Sequence, residues 1–147
     1  MAGYALDTTV LIDALNQPAR LEDLLAFLSC ALPQIHLSAV VAHELDAGTT
    51  TARQRGLLDQ RLVGPFERRG RVFAPSVAAW RRAGQLLALG HRAPSAARLN
   101  DLLLAVSCRE AGLTLVTRDR DFRRLARLIR GLRVMAPFPI KTSPGSS

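Results

Sequence analysis

The sequence has almost no lysine, little cysteine and few aromatic residues. Lys141 is the one lysine among 20 basic residues, so arginine supplies nearly all of the positive charge. Cys30 and Cys108 stand without a second cysteine or a histidine at metal-binding spacing, which argues against a disulfide framework and a zinc site. Both lie in apolar, helix-like surroundings and are expected to be buried thiols. With 5% aromatic and 48% hydrophobic residues, the composition predicts an aliphatic core.

The sequence also has no long apolar run, and its N-terminal pattern does not predict a leader segment. No run reaches the roughly 18 apolar residues that a membrane-spanning helix requires. The N-terminus has no basic stretch and soon reaches an acid, Asp7, which is not the pattern of a secretory signal. We therefore expect a cytoplasmic protein without a membrane partner. Its 147 residues suit a single domain over residues 1–140 and a flexible tail, residues 141–147.

Positive charge is present in excess. The chain has 20 basic and 12 acidic residues, which gives a net charge of +8. Arginine binds phosphate through paired N–H groups and stacks on bases, so this composition favours a nucleic-acid partner. A GC-rich genome would also produce many arginines, and the composition does not separate the two explanations. A domain of this charge attracts polyanions in either case.

Short apolar segments alternate with helical patterns along the chain. Parallel strands joined by helices have this order, so we predict an α/β fold in which helices flank a short-stranded, mostly parallel central sheet. Right-handed crossovers would place all strand exits on one edge. Pro65 is expected to divide the helical stretch in which it lies. The predicted strands cover residues 4–6, 35–37, 71–74, 113–116 and 132–135, and the predicted helices cover residues 8–16, 21–32, 39–47, 52–69, 77–89, 100–111 and 122–130.

The stretch of residues 99–122 shows how such an edge acquires acids. Asn100 and Asp101 carry the short acceptor side chains that are typical of a helix start, so a helix is predicted to begin there. The apolar residues that follow predict a helix buried inside the domain, and Gly112 ends it. A buried strand comes next. Asp119 follows that strand at the edge where α/β proteins bind ligands.

Four acids are predicted to reach this edge. Asp7 follows the first strand, and Glu44 lies in the helix after the second strand. Asp101 begins the buried helix, and Asp119 follows the strand after that helix. Carboxylates this close repel one another, and a cation relieves the repulsion. Oxygen ligands suit Mg²⁺, with Mn²⁺ as the alternative. Such ions activate water and stabilise charge on phosphate, so the set predicts phosphodiester hydrolysis.

Each acid also has a structural explanation that involves no ligand. Asp7 and Asp101 could each cap a helix. Asp119 could be a turn residue, and Glu44 a solvated acid on a helix surface. Asp121 could touch a second ion or cap the helix that follows it. Four separate coincidences would be needed to explain the whole set in this way, so a shared site is the favoured interpretation.

The same residues resemble the PIN-domain nucleases and, within them, the VapC toxins of bacterial toxin–antitoxin pairs. The resemblance covers residues 4–138 and rests on four motifs in order: residues 7–13, Glu44, residues 100–105 and residues 115–122. It implies a PIN-like α/β/α sandwich and a ribonuclease that depends on Mg²⁺ or Mn²⁺. It also implies a homodimer and a small cognate antitoxin whose tail occupies the acidic groove. For such a partner, residues 21–32 and 57–62 offer apolar faces.

Carried over by motif, the resemblance assigns functional residues to this chain. The implied metal ligands and catalytic acids are Asp7, Glu44, Asp101 and Asp119. Thr8 and Thr117 are implied polar supports, and Asp121 is a further candidate. The chain departs from the family in its arginine load beside the site, where four side chains would hold RNA or partly neutralise the carboxylates: Arg118, Arg120, Arg123 and Arg124.

Two other classes of function remain open. One is a non-catalytic PIN-like module that binds RNA or a partner while its acids are idle. The other is a small phosphatase or a phospho-accepting receiver domain, both of which place an aspartate after a strand. A haloacid-dehalogenase-type phosphatase requires a second aspartate where this chain has Thr9, and a receiver requires a lysine near its acids. The nuclease interpretation therefore leads.

Overall fold

Five short strands form one sheet at the centre of the protein, and every strand pair in it is parallel. The computed structural model describes residues 3–19, 22–24, 26, 34–90 and 96–137. The strands are β1 (Gly3–Leu6), β2 (Ile35–Ser38), β3 (Val72–Phe73), β4 (Leu113–Val116) and β5 (Arg133–Met135). They lie in the order β3-β2-β1-β4-β5 across the sheet. The predicted sheet is confirmed, and it is fully parallel within the described residues.

The described helices flank the sheet in an α/β/α arrangement, as predicted. They are α1 (Thr8–Asn16), α2 (Ala39–Ala47), α3 (Ala52–Leu58), α4 (Gly64–Arg68), α5 (Val77–Leu89), α6 (Ala96–Ala111) and α7 (Asp121–Leu128). None of them combines the length and the apolar character that crossing a membrane would take. Residues 22–24 and 26 are also helical, but most of the helix predicted over residues 21–32 lies outside the described residues, as do Cys30, residues 91–95 and the tail.

The order in which strands are added across the sheet reverses at β1, which lies between β2 and β4. From β1 the chain builds one side of the sheet through β2 and β3, and then crosses back to build the other side through β4 and β5. A reversal of strand order opens a crevice at the carboxyl ends of the two central strands. Asp7 follows β1 and Thr117 follows β4, so these residues flank the crevice.

Helix α6 runs through the core. Residues 102–108 are all buried, because this segment is apolar on nearly every side. Cys108 lies at its end as a free, buried thiol, as predicted. Burial raises the pKa of this thiol to about 12, so it stays protonated and unreactive at neutral pH. Gly112 ends the helix with a φ of +70°, which a glycine adopts without strain.

The start of α6 differs from the prediction. Asn100 and Asp101 suggest a helix start, yet the helix already runs from Ala96. Alanine, arginine and leucine at residues 96–99 are strong helix formers and continue the helix upstream. Asp101 is therefore an interior residue of α6, and its interpretation as an N-cap is wrong.

Two pairs of adjacent apolar residues, each expected to share a core face, separate into one buried and one exposed residue. Leu58 and Ile129 are buried as expected, whereas Leu57 is 37% exposed and Leu128 is 66% exposed. Successive helical residues differ in direction by about 100°, so two adjacent residues do not both face the core.

Pro65 does not break its helical stretch. A π-helical turn (Asp59–Val63) joins α3 to α4 without a gap, and the Gly64 N–H donates to the Asp59 carbonyl, five residues earlier. Pro65 then occupies the first turn of α4, where its missing N–H and its ring are tolerated. The predicted division is therefore a local change of helix type.

Candidate functional site

Asp7 is held at the crevice by three hydrogen bonds. It is 5% exposed and serves as the N-cap of α1, because its Oδ1 accepts from the Thr8 N–H at 2.8 Å. Its Oδ2 accepts from the hydroxyls of Thr9 and Thr117, each at 2.8 Å. Burial raises the pKa of Asp7, and these hydrogen bonds partly offset that effect. Asp7 thus caps a helix and points a fixed carboxylate into the crevice at the same time.

Thr117 connects the two sides of the crevice. Its side chain is buried, donates to Asp7 and accepts from the Asp119 N–H at 3.0 Å. In turn, Asp119 Oδ1 accepts from the Asp121 N–H at 2.9 Å. The loop after β4 is therefore fixed to the residue after β1 through a single hydroxyl group.

Glu44 joins the same cluster from α2. Its Oε1 accepts from the Thr8 hydroxyl at 3.1 Å, and its side chain is half-buried. Burial raises the pKa of Glu44, and the negative charge of Asp7 raises it further. The alternative in which Glu44 is a solvated surface acid is therefore wrong.

Asp101 faces the other acids from inside α6. Burial and the neighbouring negative charges, led by Asp7 and Asp119, together raise its pKa from 3.8 to about 7. Glu44 and Asp121 act on Asp101 in the same direction, although more weakly. The fold thus brings the four predicted acids into one electrostatically coupled cluster.

The cluster is not a ready-made cage for a metal ion. Within residues 3–19, 22–24, 26, 34–90 and 96–137, no three His, Cys, Asp or Glu side chains are arranged to ligate one ion together. Mg²⁺ does not require such a cage, since it keeps several waters and is held by one or two carboxylates plus substrate phosphates. The oxygen-only donors and the uncompensated charge around Asp101 fit that kind of binding.

The arginines beside the cluster fall into two groups. Arg118 folds inward, with its side chain 21% exposed, and forms an ion pair with Asp13 at 3.4 Å. Arg120, Arg123 and Arg124 are exposed. The pairing of Asp13 with Arg118 is a contact that no pattern in the sequence indicates. Arg118 therefore anchors α1 to the loop after β4.

Asp121 lies at the rim of the cluster. It is the first residue of α7, its side chain is exposed, and it pairs with Arg124 at 3.7 Å. Its backbone N–H, rather than its carboxylate, contacts Asp119. Asp121 does not cap α7, because the residue at the cap position is Arg120.

The family of the chain follows from comparison with known proteins. A family model of the PIN domain matches residues 4–128, and the chain belongs to this family. Among proteins of curated function, no significant match is found.

Solved structures of toxin–antitoxin complexes share the fold. The DNA-bound VapBC from Salmonella typhimurium contains a chain that is 23% identical, with a TM-score of 0.66 over 92% of this chain and 98% of that one. A chain of VapBC2 from Rickettsia felis, bound to a promoter DNA fragment, is 22% identical, with a TM-score of 0.64 over 92% of this chain and 98% of that one. A chain of a toxin–antitoxin complex from Klebsiella pneumoniae is 20% identical, with a TM-score of 0.65 over the same shares of the two chains.

Proposed function

We propose that this protein is an endoribonuclease that depends on Mg²⁺ or Mn²⁺ and hydrolyses RNA phosphodiester bonds. The observation that carries the proposal is that four other carboxylates, those of Asp7, Glu44, Asp119 and Asp121, act on the half-buried carboxyl group of Asp101 and, together with burial, raise its pKa to about 7. A fold that only needed stability would not gather uncompensated acids, because their repulsion is unfavourable. A divalent cation bound among the acids would relieve this repulsion, so the same charges would favour binding of the ion.

The acids of this cluster would hold the ion, and the fold prepares them for that role. Asp7 is oriented by Thr9 and Thr117, and Glu44 by Thr8, so neither carboxylate must be ordered on binding. When bound, such an ion supplies a water of lowered pKa and stabilises charge on the phosphate. Asp101 and Asp119 complete the negative surface that the ion neutralises.

The test is cleavage of structured RNAs by the purified protein with and without divalent ions. We expect cleavage with Mg²⁺ or Mn²⁺, none with a chelator, and a loss of at least about 100-fold in Asp7→Asn and Asp101→Asn. Asp46→Asn is the matched control, because Asp46 is an exposed acid on α2 and lies outside the cluster. Cleavage that survives the chelator or either cluster variant would contradict the proposal.

A non-catalytic PIN-like module is the second candidate. In it the acids of the cluster are idle, which agrees with the lack of a three-ligand metal arrangement in the described part of the chain. This alternative predicts RNA or partner binding without turnover at any divalent ion concentration. The same cleavage assay therefore separates the two functions.

We further propose that the protein is the toxin of a toxin–antitoxin pair, active in the cytoplasm as a homodimer. The support is the shared fold with chains of VapBC complexes. A cavity of about 630 Å³ lies between α1, α2 and α3, next to Glu44. Its lining is mostly aliphatic and includes Leu57 and Leu62 from the apolar face predicted to contact a partner.

The antitoxin proposal can be tested through Leu57, whose partial exposure allows substitution without disturbing the core. Leu57→Asp should abolish co-purification of the protein encoded beside this one. Leu89→Asp, at an exposed position on α5, is the matched control and should retain it. Retention of the partner by both variants would refute the proposed docking site. Light scattering of the free protein tests the homodimer.

A further inference from the structure

Helix α7 has a buried apolar face and an exposed side that is rich in arginine and also carries Leu128. The apolar face consists of four residues at helical spacing. Phe122 and Ile129, the residue that follows the helix, are buried, and Leu125 and Ala126 are half-buried. The opposite side carries exposed arginines at the same spacing: Arg120, Arg123, Arg124 and Arg127. We call this set the arginine face. One of its members, Arg124, pairs with Asp121 in a highly exposed contact that water screens strongly.

The arginine face starts where the acidic cluster ends. Asp121, the first residue of α7, donates its backbone N–H to Asp119, so the helix grows directly out of the cluster. A site with four acids repels a polyanion until positive charge nearby compensates, and screening limits useful distances to about 8 Å. Arg118 does not supply that charge alone, because it is folded against Asp13. The adjoining arginine face does.

We infer that the arginine face binds the phosphate backbone of RNA on one side of the cleaved bond. This inference rests on the proposed function. Arg120 and Arg127 are seven residues apart, so the face extends for about 10 Å, enough to contact consecutive phosphates. It carries no aromatic side chain for stacking on bases, since Phe122 is buried. The face therefore holds RNA of any sequence, and base preference arises elsewhere on the protein.

The experiment measures binding without turnover. A fluorescent 12-nucleotide single-stranded RNA is titrated with protein in chelator, and the dissociation constant is measured over a range of salt concentrations. Arg123→Gln/Arg127→Gln should weaken binding about 10-fold and lower the slope of log affinity against log salt by about 1.4, the value for two lost phosphate contacts. The loss should be the same for RNAs of different sequence.

Two further variants control for charge and for shape. Arg81→Gln/Arg82→Gln removes the same net charge from exposed positions on α5 and should leave the slope unchanged. Arg123→Lys/Arg127→Lys keeps the charge and should keep the slope. An equal loss in the α5 variant, or a loss in the lysine variant as large as in the glutamine variant, would overturn the inference. So would unaltered RNA binding in Arg123→Gln/Arg127→Gln, including the case in which that variant loses an acidic protein partner instead.

The outcomes also separate this inference from the proposed function. RNA that binds through α7 but is never cleaved would refute the nuclease and leave the arginine face standing. If wild type and Arg123→Gln/Arg127→Gln cleave RNA with the same KM, the nuclease proposal stands and the arginine face is refuted as an RNA-binding surface.

Discussion

Asp7 shows how one carboxylate can serve both folding and chemistry. Its Oδ1 accepts from the first N–H of α1, and its Oδ2 faces two threonine hydroxyls. A side chain fixed by capping needs little further ordering when it binds a ligand. The two explanations weighed for Asp7 in the sequence, a helix cap and a site residue, are therefore compatible.

Thr117 is the residue whose loss should separate activity from folding. Thr117→Val removes the donor to Asp7 and the acceptor for the Asp119 N–H, so both acids lose their orientation. We expect kcat to fall about 10- to 100-fold and stability to fall by about 1–2 kcal/mol. Thr117→Ser keeps the hydroxyl and should restore most activity. Equal kcat in the valine variant and the wild type would show that this hydroxyl does not position the acids.

The raised pKa of Asp101 predicts a pH-dependent stability. Its carboxyl group has an ordinary pKa of 3.8 and a folded pKa of about 7. Between these values the folded state binds a proton that the unfolded state lacks, so stability falls as pH rises from about 4 to 7. Asp101→Asn removes this dependence. Without divalent ions, the variant should gain on the order of 2 kcal/mol over wild type at pH 8, and almost nothing at pH 4.

Urea denaturation of wild type and Asp101→Asn at several pH values measures that difference. Asp46→Asn, at an exposed position, should show no such trend. A constant difference between Asp101→Asn and wild type from pH 4 to pH 8 would contradict the electrostatic origin of the shift.

The positions of the site acids were accessible from the sequence, but most of their partners were not. Asp7 and Asp119 follow recognisable strands, and parallel strands end at one edge. The pairing of Arg118 with Asp13 joins residues 105 positions apart, and no local pattern encodes it. Side-chain contacts between elements depend on packing that propensities do not describe.

Among the elements, the π turn between α3 and α4 is the least regular. The added backbone in this turn brings the Asp59 carbonyl close to Gly64, where a Cβ would lie 2.5 Å from that oxygen. Gly64→Ala should therefore destabilise the protein by about 1–3 kcal/mol. Gly56→Ala lies in the same helical stretch with no atom within 4 Å of the new Cβ. It should stabilise by about 0.5–1 kcal/mol.

Thermal and urea unfolding of the two alanine variants check this pair. Opposite signs are expected because the two glycines share a chain segment and differ in the space around them. Stabilisation by both substitutions would mean that the turn is an ordinary α-helix in solution.

Element types were predictable where two signals agreed. Ser38 and Ser76 precede the helices predicted over residues 39–47 and 77–89, and each accepts a backbone N–H at the start of α2 or α5. The start of α6 was wrong because Asn100 and Asp101 satisfy the capping pattern while the residues before them already favour a helix. Pro65 was expected to divide a helix, and single-sequence rules do not anticipate the π turn that accommodates it.

For the whole molecule, divalent ions should act as folding ligands. Binding to the folded acidic cluster lowers the free energy of the native state by mass action. About 10 mM Mg²⁺ should raise the melting temperature by about 3 °C or more at pH 8. The rise should vanish in Asp101→Asn and persist in Asp46→Asn. An equal rise in all three proteins would indicate non-specific ion effects, which differential scanning fluorimetry can detect.

The parallel sheet and its flanking helices were predictable from the alternation of apolar segments, but the strand order was not. No local sequence pattern shows whether β4 is added beside β3 or, as in this fold, on the other side of β1. That return creates the crevice between β1 and β4. The sequence predicts which edge carries the site, whereas the tertiary structure determines which two strands frame it.

The Thr117–Asp7 hydrogen bond joins residues separated by 110 positions. During synthesis, β1 leaves the ribosome before β4, and Asp7 lacks the hydrogen bond from Thr117 until the residues after β4 have emerged. Nascent chains and fragments that stop before residue 113 therefore contain Asp7, Glu44 and Asp101 without the scaffold that unites them. A cell making this protein is therefore exposed to the assembled site only after β4 and Thr117 have been synthesised.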